Sequence, residues 1–118
     1  MTCNDKSDTY YDRLNENLEA LKTATDSLDR RLEVIEVEMS YNRLIPNDDE
    51  PCSYINDYIA NGGIVLPIFH DEKADENAIN IIQSAFPDRK IECVDGLDIL
   101  LGGGGVHCIT QQQPKAKI

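Results

Sequence analysis

The chain has 118 residues and is strongly acidic, with 22 aspartates and glutamates against 11 lysines and arginines and a net charge of −11 at pH 7. This length suggests one domain with a modest core. The charge argues against nucleic acid or an anionic membrane as a partner and is compatible with a cationic ligand. No apolar run approaches the ~20 residues of a membrane span, and the polar N-terminus shows no secretory signal, so we expect a cytoplasmic protein.

The first half of the chain predicts one helix, one strand and one loop. Residues 9–25 carry an apolar stripe at helical spacing, which is expected to pack in the core. Residues 31–39 alternate apolar residues with glutamates, which predicts a strand with one solvent-facing side. Residues 40–52 hold two prolines and an acidic cluster that fits no calcium loop, so a solvated loop is favoured. The helical stripe is formed by Tyr11, Leu14, Leu18 and Leu21.

The second half predicts a hairpin followed by a helix and shorter segments. Asn61-Gly62 between two apolar, β-prone runs is a strong hairpin signal, which places strands over 53–60 and 64–69. Pro67 cannot donate a ladder hydrogen bond, so it indicates an edge or a bulge. The remaining predictions are a helix over 71–85, a strand over 90–94, a short turn or helical piece over 96–100 and an extended final segment over 108–112.

The four cysteines are widely spaced and form no Cys-x-x-Cys motif, so neither a zinc site nor a redox pair is indicated. Without a secretory signal they are expected to be reduced thiols. These residues are Cys3, Cys52, Cys93 and Cys108.

Four consecutive glycines at 102–105 run into Val-His-Cys at 106–108. Glycine lets another group approach the main chain closely. The run is therefore interpreted either as a cradle for a small ligand beside a nucleophilic Cys108, or as a hinge before a buried, inert cysteine. On an extended segment His107 and Cys108 point to opposite faces, which makes His107 a poor acid or base for that thiol.

Three blocks of the sequence resemble the agmatine deiminase family, guanidine-modifying enzymes that include bacterial peptidylarginine deiminases. They are Gly-Gly-Gly-Gly-Val-His-Cys-Ile-Thr-Gln-Gln-Gln-Pro at 102–114, Ser-Tyr-Ile-Asn-Asp-Tyr-Ile-Ala-Asn-Gly-Gly-Ile-Val-Leu-Pro at 53–67 and Ala-Phe-Pro-Asp-Arg at 85–89. The resemblance implies an α/β fold, a partial pentein-type α/β propeller. Residues 1–118 would form a single C-terminal fragment with about two of the five ββαβ-like blades, with the glycine-rich loop and the cysteine segment at 101–113.

The resemblance also implies an activity. Cys108 would attack the guanidine carbon of a small cationic substrate, agmatine or a peptidyl arginine, and release ammonia through a covalent thiouronium. The implied product is a ureido compound, N-carbamoylputrescine in polyamine biosynthesis when agmatine is the substrate. Gly104 and Gly105 would bind the substrate, and no cofactor or metal is implied.

The chain also departs from the family pattern. His70 and Asp57 stand where the family usually has a small and an aromatic residue, and no residue matches the family's catalytic histidine or its guanidinium-binding carboxylates. The chain is therefore expected to be inactive alone and to associate with itself or with missing upstream blades, because an open sheet edge invites pairing. The alternative is a non-catalytic α/β interaction module or remnant.

Overall fold

The computed structural model describes residues 1–42 and 50–117. Its centre is a mixed sheet with the strand order β1-β2-β3, in which β1 is antiparallel to β2 and β3 is parallel to it. The strands are β1 Tyr58–Ala60, β2 Gly63–Ile68 and β3 Lys90–Asp95. The helices of this described part are α1 Tyr11–Thr23, α2 Glu72–Ala85 and α3 Gly96–Leu101, and a 3-10 turn follows at His107–Ile109.

The hairpin forms where Asn61-Gly62 predicts it. Ala60 faces Gly63 across the two strands, which leaves Asn61 and Gly62 as the loop. Gly62 has a φ of +81°, a conformation that glycine adopts without a Cβ penalty. β1 pairs with β2 only as far as Val65. Pro67 therefore lies in the part of β2 that β1 does not reach, where a missing N–H is tolerated on that side.

Helix α2 connects β2 to the parallel strand β3 and covers the sheet. It begins after Asp71, whose side chain accepts a hydrogen bond from the Ala74 N–H at 3.2 Å, and it ends before Phe86-Pro87, because proline cannot continue a helix. This β-β-α-β arrangement makes the chain an α/β protein. The buried core consists of Val37, Cys52, Tyr54, Ile64, Leu66, Phe69, Ala78, Ile82, Leu97 and Leu100.

Two predictions for the first half of the chain are wrong. Helix α1 contains no buried residue, and Leu21 is 42% exposed, so its apolar stripe lies along a surface groove and not in the core. Residues 31–39 form no strand, because only isolated bridges pair Arg31 with Thr25 and Glu38 with Thr2. An alternating pattern needs a neighbouring strand to complete its ladder, and no strand pairs with 32–37 within the described ranges.

The strand predicted over 53–60 begins only at Tyr58. Residues 53–56 form a turn in which the Asn56 N–H donates to the Ser53 carbonyl at 3.2 Å. Tyr54 explains this departure, since its hydroxyl donates to the buried Asp75 carboxylate at 2.7 Å. The bond directs Tyr54 towards helix α2, and the strand starts after the turn.

Residues 43–49 of the predicted loop, with most of its acidic cluster, lie outside the described residues, as does Ile118. At the two ends of that loop, Ser40 and Cys52 form an antiparallel bridge. No helix within 1–42 or 50–117 has the length and apolar character needed to cross a bilayer. The same residues contain no group of three side chains that could hold a metal ion.

Candidate functional site

Cys108 lies in the 3-10 turn that directly follows the glycine run. The backbone N–H groups of residues 108–110 each donate to the carbonyl three residues earlier, at 3.1 to 3.2 Å. Bonding inside the segment replaces bonding to a neighbouring strand, so the extended start predicted for 108–112 is wrong. The alternation of faces expected for an extended segment therefore does not apply to His107 and Cys108, which both lie in this 3-10 turn.

The four cysteines lie in two different environments. Cys3 and Cys52 are buried, whereas Cys93 and Cys108 are exposed. The interpretation of Cys108 as a buried, inert cysteine is therefore wrong, and a reagent or substrate can reach its sulfur.

The main chain at Gly104 lies directly against the Cys108 side chain. Gly104 has a φ of +125°, and a Cβ at this position would lie 3.0 Å from the Cys108 Cβ and 3.2 Å from its Sγ. At Gly105 a Cβ would come within 2.3 Å of the Asn56 side-chain amide. At both glycines another group lies close to the main chain. That group is a side chain of this protein in each case, Cys108 at Gly104 and Asn56 at Gly105. Their assignment as substrate-binding residues stays a prediction.

Asn56 is the residue at this site that sequence reasoning missed. Its Nδ2 lies 3.8 Å and its Oδ1 3.9 Å from the Cys108 Sγ. Its Oδ1 accepts the His107 N–H at 3.1 Å, and its backbone carbonyl accepts the same N–H at 3.3 Å. The available signal was its position inside the family-like block 53–67. Periodicity carries no information about a contact between residues 52 positions apart.

The two exposed thiols differ in acidity. Hydrogen bonding from the Gly105 backbone, followed by that from Asn56, lowers the pKa of Cys108 below its ordinary value. Burial raises the pKa of Cys93, and the charges of Asp75 and Glu92 add to this effect. Because the thiolate is the nucleophilic form, we expect Cys108 to be the more reactive of the two near neutral pH.

The ionisable neighbours of Cys108 do not form a catalytic pair with it. The His107 Nε2 lies 3.2 Å from Gln112 Nε2, and His70 is bound to Asp95. Within the described part of the chain, neither histidine hydrogen-bonds the Cys108 sulfur. Burial raises the pKa of the half-buried Asp57, and a hydrogen bond from its own backbone, followed by the charge of His107, partly opposes that rise.

The chain has an α/β fold in which an exposed thiol with a lowered pKa lies beside glycine main chain. This combination defines a candidate cysteine-dependent enzyme. The chain belongs to the family of Porphyromonas-type peptidyl-arginine deiminases, whose profile it matches over residues 1–114. The resemblance found in the sequence is therefore confirmed.

Several proteins similar to this chain are named agmatine deiminases. The chain is 46% identical over 112 residues to the "Putative agmatine deiminase" of Legionella pneumophila (strain Paris), covering 95% of this chain and 32% of that protein. It is 34% identical over 129 residues to the agmatine deiminase of Medicago truncatula, covering 93% of this chain and 34% of that protein. The solved structure of the Enterococcus faecalis agmatine deiminase superposes with a TM-score of 0.85 at 29% identity, covering 95% and 35%. The chain thus spans about a third of the length of these relatives.

Proposed function

We propose that Cys108 is the nucleophile of an agmatine deiminase-like hydrolase that converts agmatine to N-carbamoylputrescine and ammonia. The observation that carries this proposal is the exposed thiol held against the Gly104 main chain, in a family whose relatives are named agmatine deiminases. A guanidinium carbon is a poor electrophile because its charge is delocalised. Its hydrolysis therefore calls for a strong nucleophile, and a thiolate is one.

The proposed reaction has two halves. The Cys108 thiolate forms a bond to the guanidine carbon, and the bond to one nitrogen breaks as that nitrogen takes up a proton and leaves as ammonia. The resulting thiouronium then adds water, both water protons are passed in turn to a base, and the carbon–sulfur bond breaks to give the ureido product and the free thiolate. A bound guanidinium cation favours the thiolate further through charge pairing, and Gly104 and Gly105 would lie along that substrate.

The acid, the base and the guanidinium-binding carboxylates of this proposal lie outside the 118-residue chain. Two observations support that part of it: neither histidine of the described residues contacts the Cys108 sulfur, and the chain spans about a third of its relatives. In this proposal the chain supplies about two of five ββαβ-like blades of a pentein-type propeller. It shows no turnover until the complementary part is present.

Peptidyl arginine is a second candidate substrate, which the description of the matching family favours. Both substrates present the same guanidinium to Cys108 and differ in what is attached to it. Parallel assays with agmatine and with an arginine-containing peptide distinguish the two. A non-catalytic interaction module would act on neither.

The first experiment measures the reactivity of Cys108 in the chain alone. A haloacetamidine combines an alkylating carbon with a planar cation that resembles a guanidinium. We expect it to label Cys108 at least about tenfold faster than Cys93 near neutral pH, with mass spectrometry of the two peptides as the readout. The neutral haloacetamide is the matched reagent and should discriminate less. Equal labelling of both exposed thiols by the amidine would favour the non-catalytic module.

The second experiment measures turnover. Release of ammonia and N-carbamoylputrescine is assayed with the chain alone and with the complementary two-thirds of the Legionella relative added. We expect product only from the mixture, and a loss of at least about a thousandfold in Cys108→Ala. Cys93→Ala is the matched control and should retain activity. Turnover that survives Cys108→Ala would refute the assigned role.

A further inference from the structure

Asp57 places a carboxylate at the edge of the candidate site. It directly follows Asn56, whose backbone carbonyl and side-chain Oδ1 both accept the His107 N–H, at 3.3 Å and 3.1 Å. These two bonds join the turn before β1 to the segment that carries Cys108. Asp57 is therefore held close to His107, the residue that precedes the proposed nucleophile.

The Asp57 carboxylate lacks a counter-charge from a basic side chain. It is half-buried, and within residues 1–42 and 50–117 no lysine or arginine forms an ion pair with it. Burial raises the pKa of this carboxyl accordingly. A carboxylate that is partly withdrawn from water without a counter-charge is unfavourable, and a bound cation would offset that cost.

The charge of Asp57 acts at a different place from that of Glu50. Hydrogen bonding, chiefly from the Gly105 backbone, lowers the pKa of Cys108, and the charge of Glu50 opposes it. The charge interaction of Asp57 is with His107 instead. Because a carboxylate directly beside a thiolate repels it, the position of Asp57, set back from the sulfur, allows it to attract a cation without suppressing the nucleophile.

The two candidate substrates differ at the end that lies away from the reacting carbon. Agmatine carries a primary ammonium at the far end of the aliphatic chain that bears its guanidinium. A peptidyl arginine carries neutral peptide bonds at the corresponding end. With the guanidine carbon at Cys108, an anion set back from the sulfur therefore favours the substrate whose far end is cationic.

We propose that Asp57 is a specificity-determining residue: its carboxylate binds the cationic far end of an aliphatic guanidine whose guanidine carbon lies at Cys108, and it thereby selects agmatine over a peptidyl arginine. This inference rests on the proposed function and deepens it, because it decides between the two substrates named there. The family resemblance implies an aromatic residue at this position, so the carboxylate contact is a property of this chain.

The test uses two alkylating reagents of equal length on the 118-residue chain. Aminobutyl chloroacetamide carries an ammonium at its far end, and pentyl chloroacetamide ends in a neutral methyl group. The two share the reactive carbon, so the ratio of their rate constants at Cys108, cationic over neutral, isolates the effect of the far-end charge. Peptide mass spectrometry after timed labelling measures this ratio. The ratio at Cys93 in the same sample serves as the internal reference.

Asp57→Asn is the decisive variant because it removes the charge and preserves the shape of the side chain. We expect the ratio at Cys108 to fall at least about threefold, the effect of a partly exposed ion pair, while the ratio at Cys93 stays in place. An unchanged ratio at Cys108 overturns the proposal.

The matched control is Asp88→Asn, which removes the same charge from an exposed position between α2 and β3. We expect it to leave the ratio at Cys108 in place. A fall in this variant equal to that of Asp57→Asn would mean that the net charge of the chain sets the ratio, and the role of Asp57 would be refuted.

A measurement on the unsubstituted chain decides the matter if circular dichroism shows that Asp57→Asn does not fold. Alkylation of Cys108 by either reagent tethers the far end of that reagent near Asp57, and a ¹³C titration of the two adducts follows the Asp57 carboxyl. We expect its pKa to be lower by at least about half a unit in the ammonium adduct than in the methyl adduct, because a neighbouring cation favours the carboxylate. Equal values in the two adducts would contradict the proposal.

Neither of these readouts requires turnover, so the two proposals can fail separately. Absence of guanidine hydrolysis together with the expected change in the labelling ratio would refute only the proposed function. Hydrolysis of agmatine together with an unchanged ratio in Asp57→Asn would refute only the role of Asp57.

Discussion

His70 adopts a left-handed backbone conformation, with a φ of +57°, in which a side chain is disfavoured. The family resemblance implied a small residue at this position, and the φ supplies the physical reason. The imidazole Nε2 lies 2.7 Å from Asp95 Oδ2, while Asp95 Oδ1 accepts the Leu97 N–H at the start of α3. An ion pair with the capping residue of α3 thus partly offsets the strain at His70.

The pairing makes this contribution depend on pH. The hydrogen bond to Asp95, and then its charge, raise the pKa of His70 above its ordinary value. The stabilisation is therefore fully present below the unfolded-state pKa of about 6.5 and is lost as the pH rises through the higher folded-state pKa. The side chains of His70 and Asp95 are 53% and 41% exposed, so solvent screening keeps the contribution small.

His70→Gly is expected to raise the Tm, and to raise it more in alkaline solution. Above the raised folded-state pKa of His70 the histidine is neutral, so glycine relieves the backbone strain at little loss and the Tm should rise by ~4 °C. At about pH 5.5 glycine also removes a charged pair, and the gain should fall to ~2 °C or less. Thermal unfolding followed by circular dichroism measures both values.

His107→Gln is the matched control, since His107 is the other histidine of the chain and lies outside the α3 cap. Its change in Tm should differ less between the two pH values than that of His70→Gly. A His70→Gly gain that does not change with pH would contradict a stabilising pair with Asp95.

At the scale of elements, short-range signals predicted those segments whose hydrogen bonds are local. The Asn61-Gly62 dipeptide indicated the hairpin, and the helix predicted over 71–85 is present as α2, which begins one residue later than predicted. The strand over 90–94 is present as β3 with one additional residue. In each of these the deciding residues lie within a few positions of one another.

The prediction errors at Tyr54 and Asn56 occur where a contact with a residue distant in sequence determines the local structure. Tyr54 is drawn out of the predicted strand by Asp75, 21 positions away, and Asn56 is held by a contact with Cys108, 52 positions away. Hydrophobic periodicity does not encode either pair. The candidate site follows the same rule. Cys108 could be predicted because it belongs to a local motif, whereas Asn56 could not, because its contact with Cys108 forms only in the folded chain.

Tyr54→Phe tests how strongly this long-range bond stabilises the molecule. Asp75 is 9% exposed, and its Oδ1 accepts both the Tyr54 O–H and the Phe69 N–H. Phenylalanine preserves the ring contact with Phe69, 5.1 Å between centroids, but leaves the buried carboxylate one donor short. The free energy of unfolding, measured by urea titration, should fall by ~2 kcal/mol.

Tyr58→Phe provides the matched control, because Tyr58 is a half-buried tyrosine at the start of β1. Its effect should stay below ~0.5 kcal/mol. Equal losses in the two variants would show that the Tyr54–Asp75 bond does not stabilise the turn.

At the scale of the whole molecule, exposed apolar surface and negative charge have opposite effects on self-association. A groove of about 510 Å³ lies between α1 and residues 34–36, and its lining includes Leu14, Leu18, Leu21, Ile35 and Ile55. β1 and β3 are the edge strands of the described sheet. Exposed patches and open edges favour association, whereas a net charge of −11 makes identical copies repel one another.

We therefore expect the chain to self-associate in a way that depends on salt. Size-exclusion chromatography with light scattering should show a mass that rises with protein concentration. It should rise further between about 0.01 M and about 1 M salt, as the screening length falls from about 30 Å to about 3 Å. The apolar surface then acts without the charge repulsion that opposes it. A monodisperse monomer under all of these conditions would contradict the expectation.

Substitutions distinguish association through the groove from non-specific hydrophobic association. Leu21→Lys with Ile35→Lys places two cations in the groove and changes the net charge from −11 to −9. Weaker repulsion alone would strengthen association, so a lower mass in this variant can only reflect the lost apolar surface. Leu28→Lys with Leu101→Lys makes the same change of charge at two exposed leucines outside the groove lining, and it should associate at least as strongly as the unmodified chain. Association that is equally weakened in both variants would show that the groove has no particular part in it.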